Sequence, residues 1–383
     1  MRKTRTQRIM LLLLLLVTPG ANASATTEYS VRGLGQLVPE GSSVAYGLND
    51  LGVAVGTAMN AQGSYTAVRF NLDGTVTDLG QLYPGYESAA LDINNAGTMV
   101  GYALTGFSVL NVDIANAVMF NGDGTLTNLG LLIPGKSARA HAINTHGVIV
   151  GSAEDNNDVS RAVIFEGGGV VTPLGHLGVT PQDSVASAIN DDGIIVGTSS
   201  RSKTDNAVRF HLDGSVTDLF RPPEASSAYG VSSAGEIVGL AKTSAFDPVP
   251  GIDYGTLFDG SGGVTDLGQL EPGHATMALA VNASGTIVGF GDTEFQRTAV
   301  LFDRDAGTVV PLADRITATA SEPWILETAY AINDAGQIVG GGKPNPGIQT
   351  GYLLTPVPEP AAALLALAGL IAVQTLARRR IPA

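Results

Sequence analysis

Seven copies of one pattern recur along this chain, and that repetition limits the folds it can adopt more than any other feature. The most regular element resembles Gly-x-Ile-Val-Gly. Its last glycine recurs 42 to 51 residues apart, at Gly56, Gly101, Gly151, Gly197, Gly239, Gly289 and Gly340. A period in this range is typical of folds in which each repeat buries its apolar surface against the next.

Each copy is built from four short segments, A to D, in a fixed order. Segment A ends at Asn49, Asn94, Asn144, Asn190, Asn282 and Asn333, with Ser232 substituting once, and segment B is the glycine run. Segment C ends at Phe70, Phe120, Phe165, Phe210, Phe258, Phe302 and Leu354, and segment D carries Leu79, Leu129, Leu174, Leu219, Leu267 and Leu312. Val, Ile and Thr within the segments, with Asn, Asp and Gly between them, indicate strands joined by tight turns. The pattern predicts an all-β, seven-bladed β-propeller with four-stranded blades, and a parallel β-solenoid is the alternative.

The position of one D segment indicates that the array is closed. The last copy ends with segment C at 351–354, and no D segment follows it. The missing copy is found at the N-terminus, where residues 31–37 match residues 76–82 closely. We therefore expect the N-terminal strand to complete the last blade, which also removes exposed sheet edges.

The first 23 residues have the pattern of a secretory signal peptide. Basic residues precede an apolar run, a Pro19-Gly20 pair follows, and Ala21-Asn22-Ala23 supplies the small residues that signal peptidase accepts. We expect cleavage after Ala23, with Ala25 as the nearby alternative. The apolar run is too short for a membrane span of about 20 residues.

The C-terminal segment, 356–383, has a more specific pattern. Val357-Pro358-Glu359-Pro360 precedes an apolar stretch at 361–377, and Arg378-Arg379-Arg380 follows. The apolar stretch predicts a transmembrane helix, and the arginines would stop transfer and remain cytoplasmic. This order resembles the PEP-CTERM sorting tail of Gram-negative bacteria. The resemblance implies processing by an exosortase near Pro358-Glu359-Pro360 and an exported protein of the cell envelope or the extracellular space.

The repeats at 29–355 resemble HAF-type extracellular repeats and, more distantly, kelch blades. The resemblance implies the same propeller fold. The histidine of the family's His-Ala-Phe signature is absent here, and its position holds Thr66, Asn116, Arg161, Asn206 and Thr298. That departure weakens any role for the histidine.

Charge and composition exclude several classes of function. The formal net charge is −14, and seven of the 21 cations lie in the two terminal segments. A body that acidic repels phosphate backbones, so we expect no nucleic-acid partner. The chain has no Cys, which excludes disulfides, thiol catalysis and thiolate metal sites.

Loop lengths suggest which side of the disc binds a ligand. The A–B and C–D connections are nearly constant, whereas the step from segment B to the end of C varies from 13 residues (Gly197 to Phe210) to 19 (Gly101 to Phe120). Because B–C and D–A connections share one face of an up-and-down blade, that face is the predicted recognition surface. Its candidate ligand residues are Tyr102, Tyr254 and Trp324; unconstrained drift of these loops, and packing of Trp324 beside blade 7, are the alternatives.

No catalytic motif is found. The histidines His141, His146, His176, His211 and His274 share no metal-ligand spacing, and no Gly-x-Ser-x-Gly elbow occurs. Asp78, Asp218 and Asp266 occupy one repeat position, which indicates a structural role. We expect no cofactor, although calcium at the Asn/Asp turns stays an alternative.

The sequence therefore predicts a binding or matrix protein that is not an enzyme. Signal peptidase and exosortase are its expected processing partners, the membrane is contacted through the C-terminal helix before processing, and an exopolysaccharide or surface protein is its expected ligand. The alternative is a polysaccharide lyase or glycoside hydrolase that uses acidic residues on the B–C/D–A face. Two carboxylates converging within about 5–10 Å at a channel mouth would favour it.

Overall fold

The computed structural model describes residues 27–107, 113–178, 182–202, 204–221, 224–242, 251–304, 306–317 and 323–358. Strand β1 is Tyr29–Gly33. The first three blades are β2 (Ser43–Leu48), β3 (Ala54–Met59), β4 (Tyr65–Phe70) and β5 (Val76–Gly80); β6 (Ser88–Ile93), β7 (Met99–Phe107), β8 (Asp113–Phe120) and β9 (Leu126–Gly130); and β10 (Ala138–Ile143), β11 (Ile149–Glu154), β12 (Ser160–Gly167) and β13 (Val170–Pro173).

Blades 4 to 6 continue the same order. They are β14 (Ser184–Ile189), β15 (Ile195–Arg201), β16 (Thr204–Phe210) and β17 (Val216–Asp218); β18 (Ser226–Val231), β19 (Ile237–Ala241), β20 (Tyr254–Phe258) and β21 (Val264–Asp266); and β22 (Thr276–Val281), β23 (Ile287–Asp292), β24 (Arg297–Asp303) and β25 (Thr308–Pro311), with a 3-10 helix at Leu312–Arg315. Blade 7 contains β26 (Trp324–Ile332), β27 (Ile338–Pro344) and β28 (Thr350–Pro356).

The seven sheets form a closed ring, which confirms the predicted seven-bladed propeller. Each sheet has four antiparallel strands, and every A strand (β2, β6, β10, β14, β18, β22, β26) lies against the A strands of both neighbouring blades. The N-terminal strand β1 completes blade 7 by pairing with β28, with Tyr29 opposite Pro356 and Gly33 opposite Tyr352. The backbone N–H of Val357 extends this pairing by one bond to the carbonyl of Glu28, at 2.8 Å.

The apolar core lies between neighbouring blades. Leu79 and Val55 of blade 1 pack with Ala90, Val118 and Phe120 of blade 2, and all five side chains are buried. Similar clusters fill the other interfaces. Because every blade contributes to two clusters, no blade can bury its apolar faces alone, and the ring must close to cover them all.

A bulge in every A strand explains why the strand-B glycine recurs. In β2 the pairing register shifts between Ala45 and Gly47, and this brings the carbonyl oxygen of Val44 over Gly56. A Cβ atom on Gly56 would lie only 1.9 Å from that oxygen. The other six B-strand glycines stand 1.9 or 2.0 Å from the corresponding carbonyl oxygens: Gly101, Gly151, Gly197, Gly239, Gly289 and Gly340. No larger residue fits this position without moving backbone.

The recurring asparagines tie the blades together at the A–B turns. The Oδ1 atom of Asn49 accepts a hydrogen bond from the N–H of Val53, which closes its own turn, and its Nδ2 donates to the carbonyl of Asn94 in blade 2. Five further links of the second kind are Asn94 to Asn144, Asn144 to Asn190, Asn190 to Ser232, Asn282 to Asn333 and Asn333 to Asn49. We call these residues the asparagine ring.

Strand direction divides the disc into two faces. The turn face carries the A–B and C–D turns, such as 49–52 and 71–74, and the loop face carries the B–C and D–A connections. Within the described residues no helix is long and apolar enough to cross a membrane. The predicted signal peptide, the remainder of the sorting motif after Pro358, the transmembrane helix and Arg378–Arg380 lie outside the described residues.

Candidate functional site

One side chain per blade faces the central channel because of the bulge. In all seven A strands the alanine before the bulge is fully buried, whereas the bulged residue after it retains exposed surface. Because the A strands are innermost, that surface opens into the channel. The bulged residues are Tyr46, Leu91, His141, Ser187, Tyr229, Leu279 and Tyr330.

Aromatic and cationic groups make two contacts in the blades along one side of this channel. The rings of Tyr46 in blade 1 and Tyr330 in blade 7 meet edge to face, with centroids 5.1 Å apart and planes at 76°. In the next blades the guanidinium of Arg139 lies over the ring of Tyr102, 4.0 Å from its centroid. These four residues from blades 7, 1, 2 and 3 are called the tyrosine arc.

The phenol of Tyr46 points toward the loop face. Burial raises the pKa of Tyr46, a hydrogen bond with Thr57 lowers it, and the nearby phenols of Tyr330, Tyr102 and Tyr65 raise it. Tyr65 begins a C strand and therefore lies at the loop face, where its hydroxyl is 2.6 Å from the Ser42 hydroxyl. The tyrosine arc therefore stands at the loop-face end of the channel.

Carboxylates gather on the opposite side, around Tyr229. Burial raises the pKa of Tyr229, a hydrogen bond with Ser227 lowers it, and the carboxylates of Asp253 and Asp205 raise it. Both aspartates hold the same repeat position in segment C. Asp205 pairs with Ser200, the third residue after Gly197, and Asp253 directly precedes Tyr254, which pairs with Ala241, the second residue after Gly239. Asp205 accepts a hydrogen bond from Ser200 at 2.6 Å, and Asp253 lies 3.5 Å from the Lys242 ammonium. The loop-face mouth thus has an aromatic half and an acidic half.

Two titratable groups lie deeper in the channel. Burial lowers the pKa of His141 to about 4, with the Arg139 charge adding to the effect, so the imidazole is neutral at pH 7. Burial raises the pKa of Asp92 to about 6, although its oxygens accept hydrogen bonds from the N–H groups of Ile93 and Ile143. Asp92 therefore connects blade 2 to blade 3.

The turn-face mouth has a different character. Its cavity of about 200 Å³ is lined by the asparagine ring and the residues that follow it. Those residues form a second layer of contacts: the N–H of Asp50 donates to Asn95 Oδ1 at 2.9 Å, and the N–H of Asp334 donates to Asp50 Oδ1 at 3.1 Å. The carboxylates are thus used in blade-to-blade bonds. Among the side chains that the structure describes, no three His, Asp or Glu groups are placed to hold a metal ion.

The three residues predicted as ligand contacts occupy different environments. Tyr102 belongs to the tyrosine arc. Trp324 begins β26 and is half-buried, with its ring 3.4 Å from where a Cβ atom on Gly33 would stand, so it packs over the closing strand. Tyr254 is only 2% exposed and lies in the core of blade 5. The sequence reasoning missed Tyr46, Tyr330 and Tyr229; the signal was their shared position three residues before the last residue of segment A, which is Asn49, Asn333 and Ser232 respectively.

The recurring aspartates of segment D are structural, as predicted. Asp78 accepts a hydrogen bond from the N–H of Gly80 at 2.9 Å, and Asp266 does the same for Gly268 at 2.7 Å. Asp218 accepts from Phe220 at 3.3 Å and also lies 3.1 Å from Arg201. Each carboxylate therefore closes the turn at the end of its own strand.

Comparison with known proteins supports the fold. No protein-family model and no curated protein sequence matches this chain. The crystal structure of puromycin hydrolase is similar to it at a TM-score of 0.50 and 15% identity over 84% of this chain, and this chain spans about half (51%) of that protein. A candidate gluconolactonase is similar at a TM-score of 0.38 and 10% identity, over 86% of this chain and 98% of that one.

This comparison corrects one prediction from the sequence. The prediction that the chain is not an enzyme rested on the lack of a catalytic motif, and it is contradicted because a propeller of similar fold, puromycin hydrolase, is an enzyme. At 15% identity the likeness itself shows the fold alone. Propellers assemble sites from several blades, so a motif within one segment is not required for catalysis.

Proposed function

We propose that this protein is an exported cell-envelope or extracellular propeller that binds a polysaccharide at the loop-face mouth of its channel. The observation that carries the proposal is the tyrosine arc, in which the Tyr46–Tyr330 and Tyr102–Arg139 contacts lie side by side in four consecutive blades and the Tyr102 phenol is near enough to act on the pKa of Tyr46. Aromatic rings pack against the apolar faces of sugars, and their hydroxyls supply hydrogen bonds. The carboxylates of Asp205 and Asp253 add acceptors for sugar hydroxyls on the other side.

The positions of the two chain ends are consistent with this surface remaining free. Strand β28 runs toward the turn face and β1 runs away from it, and Pro356 lies beside the A–B turn glycine Gly336. The segment toward the signal peptide and the segment toward the sorting tail therefore both leave the disc at the turn face. In the proposal, signal peptidase acts after Ala23 and an exosortase acts near Pro358-Glu359-Pro360, with no effect on the loop face.

A glycan array with the detergent-solubilised chain tests the binding function. We expect Tyr330→Ala to weaken binding of the recognised glycan by about tenfold or more, because the Tyr330 ring is 37% exposed beside Tyr46. Leu51→Ala is the matched control, since Leu51 is 64% exposed on the turn face. Equal binding by the chain and the Tyr330→Ala variant would place the ligand elsewhere.

A second candidate function is glycoside hydrolysis at the same mouth. The specific observation that favours it is that the carboxylates of Asp205 and Asp253, from neighbouring blades, both act on the pKa of one phenol, that of Tyr229. Two carboxylates that flank a glycosidic bond supply the acid and the base or nucleophile of that reaction. We expect the glycan found on the array to release reducing ends with the chain, and Asp205→Asn and Asp253→Asn each to abolish the release. Asp213→Asn, on the exposed turn face, is the control.

A further inference from the structure

A second cavity opens on the loop face, away from the channel. It has a volume of about 420 Å³, within the range of about 300–1,000 Å³ typical of small-molecule sites. Its walls are Leu132 and Ile133 from the D–A connection of blade 2, and Asp155, Arg161, Pro173 and His176 from blade 3. The apolar side chains of Leu132 and Ile133 thus come from blade 2, and the polar groups come from blade 3.

Comparison with blade 1 shows what is different about the blade 3 residues that line this cavity. At the positions equivalent to Arg161, Pro173 and His176, blade 1 has Thr66, Asp78 and Gln81. There the Thr66 hydroxyl donates to Asp78 at 2.8 Å, and the Gln81 amide bridges the carbonyl of Tyr65 and the N–H of Gly85. All three side chains are thus occupied by bonds within the blade.

In blade 3 the same positions bond differently. Pro173 has no donor and no side-chain acceptor, so Arg161 turns to the B–C turn instead. Its Nε and Nη2 donate to Asp155 Oδ2 at 2.9 and 2.6 Å, and its Nη1 donates to the carbonyl of Gln182 at 3.4 Å. Three of the five N–H donors of the guanidinium thus have partners among the described residues, and two remain for a ligand.

The ring of His176 offers an acceptor to the same cavity. Its Nδ1 is 3.0 Å from the carbonyl oxygen of Leu177. Because a carbonyl only accepts, Nδ1 carries the proton and Nε2 presents a lone pair in the neutral ring. Arg161, with donors, and His176, with an acceptor, therefore line the same cavity as the apolar side chains of Leu132 and Ile133.

Local charge restricts the ligand. Asp155 balances Arg161, and its pKa is held below the usual range chiefly by that guanidinium. Lys136 pairs with Asp158, and Asp183 accepts the N–H of Ser160 at 2.9 Å, which leaves the surroundings net negative. An anionic ligand is repelled here, whereas a neutral one is not.

We infer that this cavity binds one neutral sugar ring, with its apolar face on Leu132 and Ile133 and its hydroxyls on Arg161 and His176. A pyranose ring has the required combination of a C–H face and a rim of donors and acceptors, and it carries no charge. The inference rests on the proposed polysaccharide function and adds a subsite at the blade 2–blade 3 seam. It predicts binding that is independent of the tyrosine arc.

Saturation-transfer NMR on the detergent-solubilised chain tests this subsite. The probes are the methyl glycosides of glucose, galactose and mannose, with glucuronate as the charged comparison and cyclohexanol as the ring that lacks the hydroxyl rim. We expect at least one methyl glycoside to bind. The substitutions His176→Gln and Arg161→Thr introduce the residue types that blade 1 has at these positions, and each should weaken that binding by about tenfold or more. Leu51→Ala on the turn face is the control, and it should bind the methyl glycoside as tightly as the unsubstituted protein does.

The outcomes separate the subsite from the channel mouth. Binding that is lost in His176→Gln but retained in Tyr330→Ala supports the subsite. Binding lost only in Tyr330→Ala leaves the proposed function intact and overturns the subsite. Stronger binding of glucuronate or cyclohexanol than of the methyl glycosides also overturns the subsite, and so does no binding of any methyl glycoside. Should Arg161→Thr fail to fold because Asp155 loses its partner, His176→Gln, which removes no ion pair, still decides the question.

Discussion

The side-chain amide of Asn333 in blade 7 donates a hydrogen bond to the backbone carbonyl of Asn49 in blade 1, at 3.0 Å. This contact joins the last blade to the first at the axis, while β1 and β28 join them at the rim. The same link recurs around the ring except after Ser232, whose hydroxyl accepts the N–H of Glu236 and is too short to copy the amide contact to blade 6.

Restoring the missing link should stabilise the disc. In Ser232→Asn the new amide can reach the carbonyl of Asn282 while its Oδ1 still closes the turn, as it does in the other six blades. We expect the free energy of unfolding to increase by about 0.5–1.5 kcal/mol, measured by urea unfolding. Ser233→Asn, one residue further along the same turn, is the control; equal effects of the two substitutions would show that the ring geometry is not the cause.

The strand-B glycines should tolerate no side chain. In Gly197→Ala the added Cβ would stand 2.0 Å from the carbonyl oxygen of Val185, so the bulge of β14 or the strand itself must move. We expect a loss of about 3 kcal/mol or more in the free energy of unfolding.

Gly214→Ala is the comparison for that substitution. Gly214 has a φ of +81° and open space around its Cβ position, so alanine there costs only the backbone strain, about 1–2 kcal/mol. Thermal unfolding of both variants measures the difference. A Gly197→Ala variant as stable as Gly214→Ala would contradict the steric role of the bulge.

The neutral His141 should make stability depend on pH. Its pKa is about 4 in the folded chain and 6.5 when unfolded, so between these values the unfolded state binds more protons. The free energy of unfolding therefore rises with pH across this window, by at most about 3 kcal/mol, relative to His141→Gln. Asp92 has the opposite effect: because its pKa is raised to about 6 in the folded chain, its contribution to the free energy of unfolding falls as the pH rises toward 6. Asp92 is present in both proteins, so its contribution cancels in the difference.

Urea unfolding of the chain and of His141→Gln at pH 4.5, 5.5 and 7.5 measures this effect. The stability of the chain minus that of the variant should be smallest at the lowest pH. A difference that is constant across the three values would mean that folding does not lower the pKa of the His141 imidazole.

The proposed membrane tail should hold the turn face toward the bilayer. The three residues between Val357 and the apolar stretch can span at most about 11 Å, so the attached face stays close to the membrane. Because the chain has no Cys, fluorescent maleimides can be placed singly with Leu212→Cys on the turn face, where Leu212 is 77% exposed, or Phe295→Cys on the loop face, where Phe295 is 87% exposed.

In proteoliposomes that contain quencher-labelled headgroups, we expect stronger quenching at position 212 than at position 295. The two sites are matched, since both replace an exposed apolar side chain in a tight connection. Equal quenching, or stronger quenching at position 295, would show that the disc is not held by its turn face.

The number of blades, their strand order and the closure by β1 could all be predicted from the amino-acid sequence. These follow from local requirements that repeat in each blade: an asparagine to close a turn, a glycine under a bulge, and alternating apolar residues for the interfaces. The tertiary structure alone decided which side chains meet. Tyr46 and Tyr330 are distant in the chain, and Arg161 and His176 differ from Thr66 and Gln81 at equivalent positions, so their partners depend on ring closure and on the bulge that turns one side chain per blade into the channel. Contacts between blades are set by the packing of the whole ring, and no pattern within one repeat encodes them.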